Sequence, residues 1–142
     1  MSVELPVAPV DTLIRRQAGD LRVSADAAEE LARRIQDQGA TLAATAAERA
    51  RADGRKTLMV EDFGDGADGD ADVTLPVAPV DRIARLDIPR EFRVSADARV
   101  ALAHILETWA ETVAEGARVL AEHAGRRTIQ AEDIATYLRL VE

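Results

Sequence analysis

Cysteine is absent from the 142 residues, aromatic side chains make up only 3% of them, and one lysine, Lys56, stands among 18 basic residues. Without thiols the chain has no disulfide framework and no thiolate nucleophile, which fits a reducing compartment. Apolar residues reach 47%, but they are mostly Ala, Val, Leu and Ile, so the core has to be thin. No apolar run approaches the roughly 18 residues of a spanning helix, and Met1 to Val10 shows no basic region ahead of a long apolar stretch. The expectation is a cytoplasmic protein that makes no use of a membrane. Nucleophile elbow, phosphate loop and metal-ligand spacing are missing too, and the two histidines, His104 and His123, both fall at helical positions. Nothing in the sequence calls for catalysis or for a cofactor.

The formal charge is −8, which argues at first against a polyanionic partner. It divides by region as −2 over residues 1–64, −4 over residues 65–74 and −2 over residues 75–142. Half of it therefore lies in ten residues. Low Lys, abundant Asp and Glu, and small apolar residues together match the proteome of an organism that keeps molar salt inside its cells.

Self-comparison is the most informative step. Leu5-Pro6-Val7-Ala8-Pro9-Val10-Asp11 recurs letter for letter as Leu75-Pro76-Val77-Ala78-Pro79-Val80-Asp81, and Arg22-Val23-Ser24-Ala25-Asp26-Ala27 recurs as Arg93-Val94-Ser95-Ala96-Asp97-Ala98. Gly54-Arg55-Lys56-Thr57 answers to Gly125-Arg126-Arg127-Thr128, and Glu61-Asp62 to Glu132-Asp133. Pairing residues 22–63 with 93–134 gives 17 identities in 42. The chain is a tandem duplication, with copy one over residues 1–64, a Gly and Asp rich linker over 65–74, and copy two over 75–142.

Each copy reads as short helix, loop, long helix, loop. Pro6 or Pro9 suits the first turn of a helix that runs to about Gln17, where Ala18-Gly19 ends it. Ser24 and Ser95 are good N-caps, with Asp26 and Asp97 in the first turn where the helix dipole favours negative charge. Leu31, Ala32, Ile35, Gly39, Leu42, Ala43, Ala46 and Ala50 then recur at three- and four-residue steps, matched by Leu102, Ala103, Leu106, Ala110, Val113, Ala114, Ala117 and Ala121. Gly54 and Gly125 stop these helices. Copy two continues into a third helix from Ile134 to Val141, whereas copy one passes into the linker directly after Phe63 and has lost most of it. One such copy cannot bury both sides of its stripe, so the fold class is all-α with two long helices crossing antiparallel. The linker is expected to be flexible and solvated, and with no closing Glu it is a poor calcium loop.

Together these motifs resemble an archaeal histone, here as two tandem histone folds in one chain. The resemblance covers almost everything outside the linker. It implies an intrachain handshake pseudo-dimer, in which the first loop of one copy lies beside the second loop of the other. Arg22 would then lie near Arg127 and Thr128, and Arg93 near Lys56 and Thr57. It implies double-stranded DNA as partner, with loop Arg side chains entering an inward-facing minor groove and helix N-termini holding adjacent phosphates. Ser24 and Ser95 would add phosphate contacts, and Arg15, Arg82 and Arg85 a central patch, with Arg16 a weaker candidate. Arg55 with Asp62, and Arg126 with Asp133, match the family's structural ion pairs. Leu120, His123 and Asp133 match its dimer-to-dimer interface, whose counterparts in copy one are Arg49, Ala52 and Asp62. Pairing of two chains through copy two alone is the expectation. Trp109 and the helix arginines Arg33, Arg34 and Arg51 are read as packing and as solvated charge. The leading function is a nucleoid protein that bends or wraps DNA with little sequence preference. The alternative is a histone-fold interaction module or regulator with weak DNA binding.

Overall fold

Ser24 and Ser95 fix where the two long helices begin. Each has an extended backbone, and its hydroxyl oxygen accepts the amide of the residue three positions on, Ala27 or Ala98, at 3.2 Å. From these caps α2 (Ala25–Ala52) and α4 (Ala96–His123) each run for 28 residues. Gly54 and Gly125, just past their ends, take φ of 74° and 73°, a left-handed backbone that glycine adopts without a steric penalty. The computed structural model describes residues 2–142, which also contain α1 (Val7–Gln17), α3 (Val77–Ala84) and α5 (Ala131–Val141).

Four two-residue strands tie the copies together. β1 (Arg22–Val23) pairs in parallel with β4 (Thr128–Ile129), and β2 (Thr57–Leu58) with β3 (Arg93–Val94). Both bridges therefore join a first loop of one copy to a second loop of the other, which is the handshake that the family resemblance implies. The expected all-α architecture of two tandem histone folds holds, with these short bridges as its only strands among the described residues.

The core lies between α2 and α4 and is closed by the short helices. Leu31 and Ile35 from α2, Leu102 and Leu106 from α4, Leu13 and Ile14 from α1, Ile83 from α3 and Ile134 from α5 are all fully buried. Alanines fill most of the remaining inward positions of the long helices, so backbones approach closely. At Gly39 even a methyl group does not fit: a Cβ there would lie 2.8 Å from Ile83 and 3.0 Å from Leu106. Two extended segments run into this core in equivalent ways. Gln36 Oε1 accepts the Glu4 amide at 2.7 Å, while Glu107 Oε1 accepts the amides of Thr74 and Leu75 at 2.6 and 3.0 Å.

Copy one does lack a full third helix. In its place Val60–Phe63 forms a single 3-10 turn, with Phe63 partly buried against the core. The linker departs from the fully solvated segment expected of its composition. Gly69 sits against Val60 and Asp97, where a Cβ would come within 2.9 Å of both, and Val73 packs on the core. Small side chains that leave a segment flexible in isolation also let it lie flat on a surface. Trp109 is half-buried against the core, a packing residue as expected.

Candidate nucleic-acid interface

The register of the two bridges decides which side chains face out. Arg22 is opposite Thr128 and Arg93 opposite Thr57, while Val23 opposite Ile129 and Val94 opposite Leu58 turn inward. Alternation along even a two-residue strand thus puts one Arg and one Thr on the same outer side at each end of the molecule. Arg22 donates its amide to the Arg127 carbonyl at 2.9 Å, and Arg93 donates to the Lys56 carbonyl at 2.8 Å. Sequence-distant cations are therefore neighbours: Arg22 with Arg127 at one end, Arg93 with Lys56 at the other. All four are exposed, and among the described residues none of these four side chains makes a hydrogen bond or ion pair.

The second loops are held by the two ion pairs that the family resemblance implies. Arg55 donates to Asp62 Oδ1 and Oδ2 at 2.8 and 2.9 Å, and also to the Thr57 carbonyl at 2.9 Å. Arg126 binds Asp133 in the same two-pronged way. Each carboxylate also accepts a backbone amide at 2.8 Å, from Met59 or from Gln130, closing the turn that follows β2 or β4. Asp62 and Asp133 are 3% and 2% exposed. Hydrogen bonds from Arg55 hold the Asp62 carboxyl below the usual carboxylate range, against the effect of its burial.

The central patch is not bare. Arg15 and Arg85, equivalent positions in the two copies, each bind a carboxylate one turn back: Arg15 Nε lies 2.6 Å from Asp11, and Arg85 Nε 3.0 Å from Asp81. Arg82 reaches Glu4, 78 residues away in sequence, at 3.0 Å. The other oxygen of Asp81 lies 3.1 Å from Nε of Arg99, in the first turn of α4. Arg16 donates to the Thr74 hydroxyl at 2.8 Å. Sequence reasoning missed Arg99 and Glu4, because only the packing of α3 against α4 and of the N-terminal segment against α3 brings them to this patch. The Asp11–Arg15 and Asp81–Arg85 spacing, by contrast, is an i,i+4 signal present in the sequence.

Other expected side chains are committed within the chain. Besides capping α2 and α4, the Ser24 hydroxyl bonds Asp26 and the Ser95 hydroxyl bonds Asp97 at 2.8 Å, so a phosphate contact from either serine requires that bond to be given up. Arg33 and Arg34 pair with Glu30. Arg51 lies over the Phe92 ring, 5.4 Å from its centroid, beside the β2–β3 bridge. Arg90, exposed in the loop before that bridge, is a further cation that no sequence motif singles out. On copy two, Leu120 is half-buried and His123 exposed at the end of α4, whereas Asp133 has both oxygens engaged inside its own fold. Among the described residues no cluster of three or more potential ligands stands ready for a metal, and no described helix is long and apolar enough to cross a membrane.

Comparison with known proteins agrees with this geometry. Residues 3–64 and 73–138 each match the family described as histone-like transcription factor (CBF/NF-Y) and archaeal histone. One of the subunits of the archaeal histone HAN1 from Thermococcus zilligii is 49% identical over 60 residues, covering 42% of this chain and 87% of that protein. The crystal structure of the histone from Methanopyrus kandleri superposes with a TM-score of 0.67 at 27% identity, over 94% of this chain and 92% of that one. A crystal structure from Thermus thermophilus superposes with a TM-score of 0.70 over 97% of both chains, and at 22% identity it shows the fold alone. Two matched segments, two bridged loop pairs and one shared core lead to the same result: the chain belongs to the family of histone-like transcription factors and archaeal histones, with the histone fold present twice.

Proposed function

We propose that this chain is an architectural protein of the chromosome, which binds duplex DNA along the face defined by its two bridges and its first helices. The carrying observation is the pair of outward Arg–Thr registers, Arg22 with Thr128 and Arg93 with Thr57, each beside a second exposed cation that lacks a side-chain partner among the described residues. A guanidinium in that position enters a minor groove, while Lys56 and Arg127 neutralise the flanking phosphates. Two end sites and the central patch meet three successive inward minor grooves, at one per ~10 base pairs, so one chain covers an arc of roughly 30 base pairs. These are contacts to backbone and groove shape, so sequence preference is weak.

The test is binding to a mixed-sequence duplex of about 30 base pairs at low and at molar KCl. Arg22→Ala with Arg93→Ala should lower affinity at least tenfold near 0.1 M salt while the helical circular dichroism stays unchanged, because removing phosphate and groove contacts weakens binding at every sequence. Equal affinity would sink the groove-arginine model. It would favour the second reading, a protein-interaction module or regulator, which the carboxylates already bound to the central arginines support.

Self-association is the finer part of the proposal. Copy two presents Leu120 and His123 at the end of α4. At the position equivalent to Leu120, copy one has Arg49, whose guanidinium donates to the Asp62 carbonyl at 2.8 Å and covers the end of the 3-10 turn. Two chains therefore pair through copy two and stop there. His123→Asp should halve the mass measured by light scattering at high protein concentration; an unchanged mass, or open-ended filaments on DNA, counts against it.

A further inference from the structure

The central patch carries an arrangement that the two end sites lack. At the ends, Arg22, Lys56, Arg93 and Arg127 are exposed and unpaired among the described residues. In the centre, the three leading arginines each hold a carboxylate, Arg15 with Asp11, Arg82 with Glu4 and Arg85 with Asp81, while the weaker candidate Arg16 bonds the Thr74 hydroxyl. The first and third of these pairs are the same contact made twice, once in each copy, so the arrangement is a repeated feature of the first helix and not an accident of one surface. Asp81 also lies 3.1 Å from Arg99, although the facing atoms make no hydrogen bond, and its side chain is only 17% exposed. These carboxylates are placed to occupy the guanidinium faces that a phosphate would take.

We propose that Asp11, Asp81 and Glu4 are carboxylate latches on the central arginines, that DNA enters the central third of its path only by exchanging phosphate for carboxylate, and that this exchange adapts binding to high salt. The proposal rests on the reading of α1 and α3 as part of the DNA face. The physical basis is counterion accounting. Phosphates that meet cationic side chains release bound cations, so affinity falls as salt rises, with a slope near −0.9 per phosphate neutralised. Each latch that opens frees a carboxylate, which takes cations up again. Uptake is favoured by salt and opposes the release. At ~1 M salt, where the Debye length is about 3 Å, exposed pairs such as Arg15–Asp11 are also weakened, so opening them costs less. The chain then gives up affinity in dilute salt and keeps what it has in concentrated salt. The −8 net charge and the DNA face cease to be in conflict, because part of that charge is the device that flattens the salt response.

The experiment measures dissociation constants for a duplex of about 30 base pairs and mixed sequence from ~0.1 to ~1 M KCl, for the natural chain and for a Glu4→Gln, Asp11→Asn, Asp81→Asn variant. The variant should bind about a hundredfold tighter near 0.1 M, with a plot of log affinity against log salt steeper by about two, so that its advantage disappears toward 1 M. Parallel lines would overturn the latch, since a constant offset is plain repulsion without exchange, and so would identical affinities. Asp81 is partly buried, so Asp11→Asn alone serves where the triple variant loses helical circular dichroism. The side chain of Asp11 has the exposed Arg15 as its only polar partner among the described residues, and the line of this variant should steepen by somewhat less than one; an unchanged slope overturns the proposal equally. Arg22→Ala with Arg93→Ala separates the two readings. If that variant loses binding while the latch variants run parallel to the natural chain, the DNA face stands and the latch falls. If neither the natural chain nor any latch variant binds at any salt, both fall.

Discussion

Replacing Arg55 by alanine should lower the melting temperature by several degrees, because it leaves the buried Asp62 carboxylate without its bidentate partner. The asymmetry of the pair is what makes Arg55 the costlier deletion. Asp62 is 3% exposed, whereas the Arg55 side chain keeps 27% of its surface. Without Arg55 a buried carboxylate loses its bidentate partner and retains only the Met59 amide. Without Asp62 the guanidinium can turn toward water and toward Asp53, which already lies 3.0 Å from it. Asp62→Asn should therefore cost less than Arg55→Ala, because an amide oxygen still accepts from Met59. Thermal denaturation near neutral pH followed by circular dichroism measures this. An unchanged melting temperature would mean that the pair is as weak as an exposed one.

The same pair sets a pH dependence. The Asp62 carboxyl is held low chiefly by the hydrogen bonds from Arg55, so its folded-state pKa lies below its unfolded one. Its stabilisation is then complete above the ordinary carboxylate range and is lost as pH falls through the depressed folded value. Arg55→Ala should accordingly show its full deficit from neutral pH down to that range, and the deficit should shrink in more acidic solution, where the natural chain loses the contribution as well. A deficit that stays constant into strong acid would show that Arg55 stabilises through packing alone.

These ion pairs were reached through the family resemblance, which the repeated spacing of seven residues in Arg55–Asp62 and Arg126–Asp133 supports. The long helices were legible in the sequence itself: the caps at Ser24 and Ser95, the stripe and the terminal glycines recur together, and chance does not repeat three signals at one offset. The loop pairing was reached only through family resemblance, since nothing local in Arg22-Val23 specifies Thr128-Ile129 as its neighbour. The contacts that escaped were polar and long-range. Glu4 meets Arg82 because the N-terminal segment is pinned by Gln36, and Asp81 meets Arg99 because α3 packs on α4. Composition also misled at the linker, where Gly69 allows close packing as readily as it allows motion.

Separated copies should behave in opposite ways, and the reason lies in the segments after β2 and β4. After β4, α5 supplies Ile134 and Leu138 to the core and packs against both long helices. After β2 there is one 3-10 turn, with Phe63 only partly buried. Each fully buried Leu or Ile contributes about 1.5–3 kcal/mol, so a homodimer of copy one, missing two such side chains per chain, forgoes several kcal/mol that a homodimer of copy two retains. Alanine-rich α2 makes the deficit harder to absorb: its large, fully buried apolar side chains are Leu31 and Ile35, whereas α4 contributes Leu102, Leu106 and Val113. A total stability of about 5–15 kcal/mol, typical of folded domains, leaves little room for such a loss. Residues 73–142 expressed alone should fold as a helical homodimer that pairs Arg93 of each chain with Thr128 of the other, and its melting temperature should rise with concentration. Residues 1–64 alone should show little helix and no cooperative melt, because a helix of this length without tertiary packing is marginal in water. Adding the two pieces together should restore helix to the first, since the missing surface is then supplied by α4 and α5 of the second. A cooperative melt of residues 1–64 by themselves would show that the Ala-rich half is self-sufficient and that fusion of the copies is not what stabilises it.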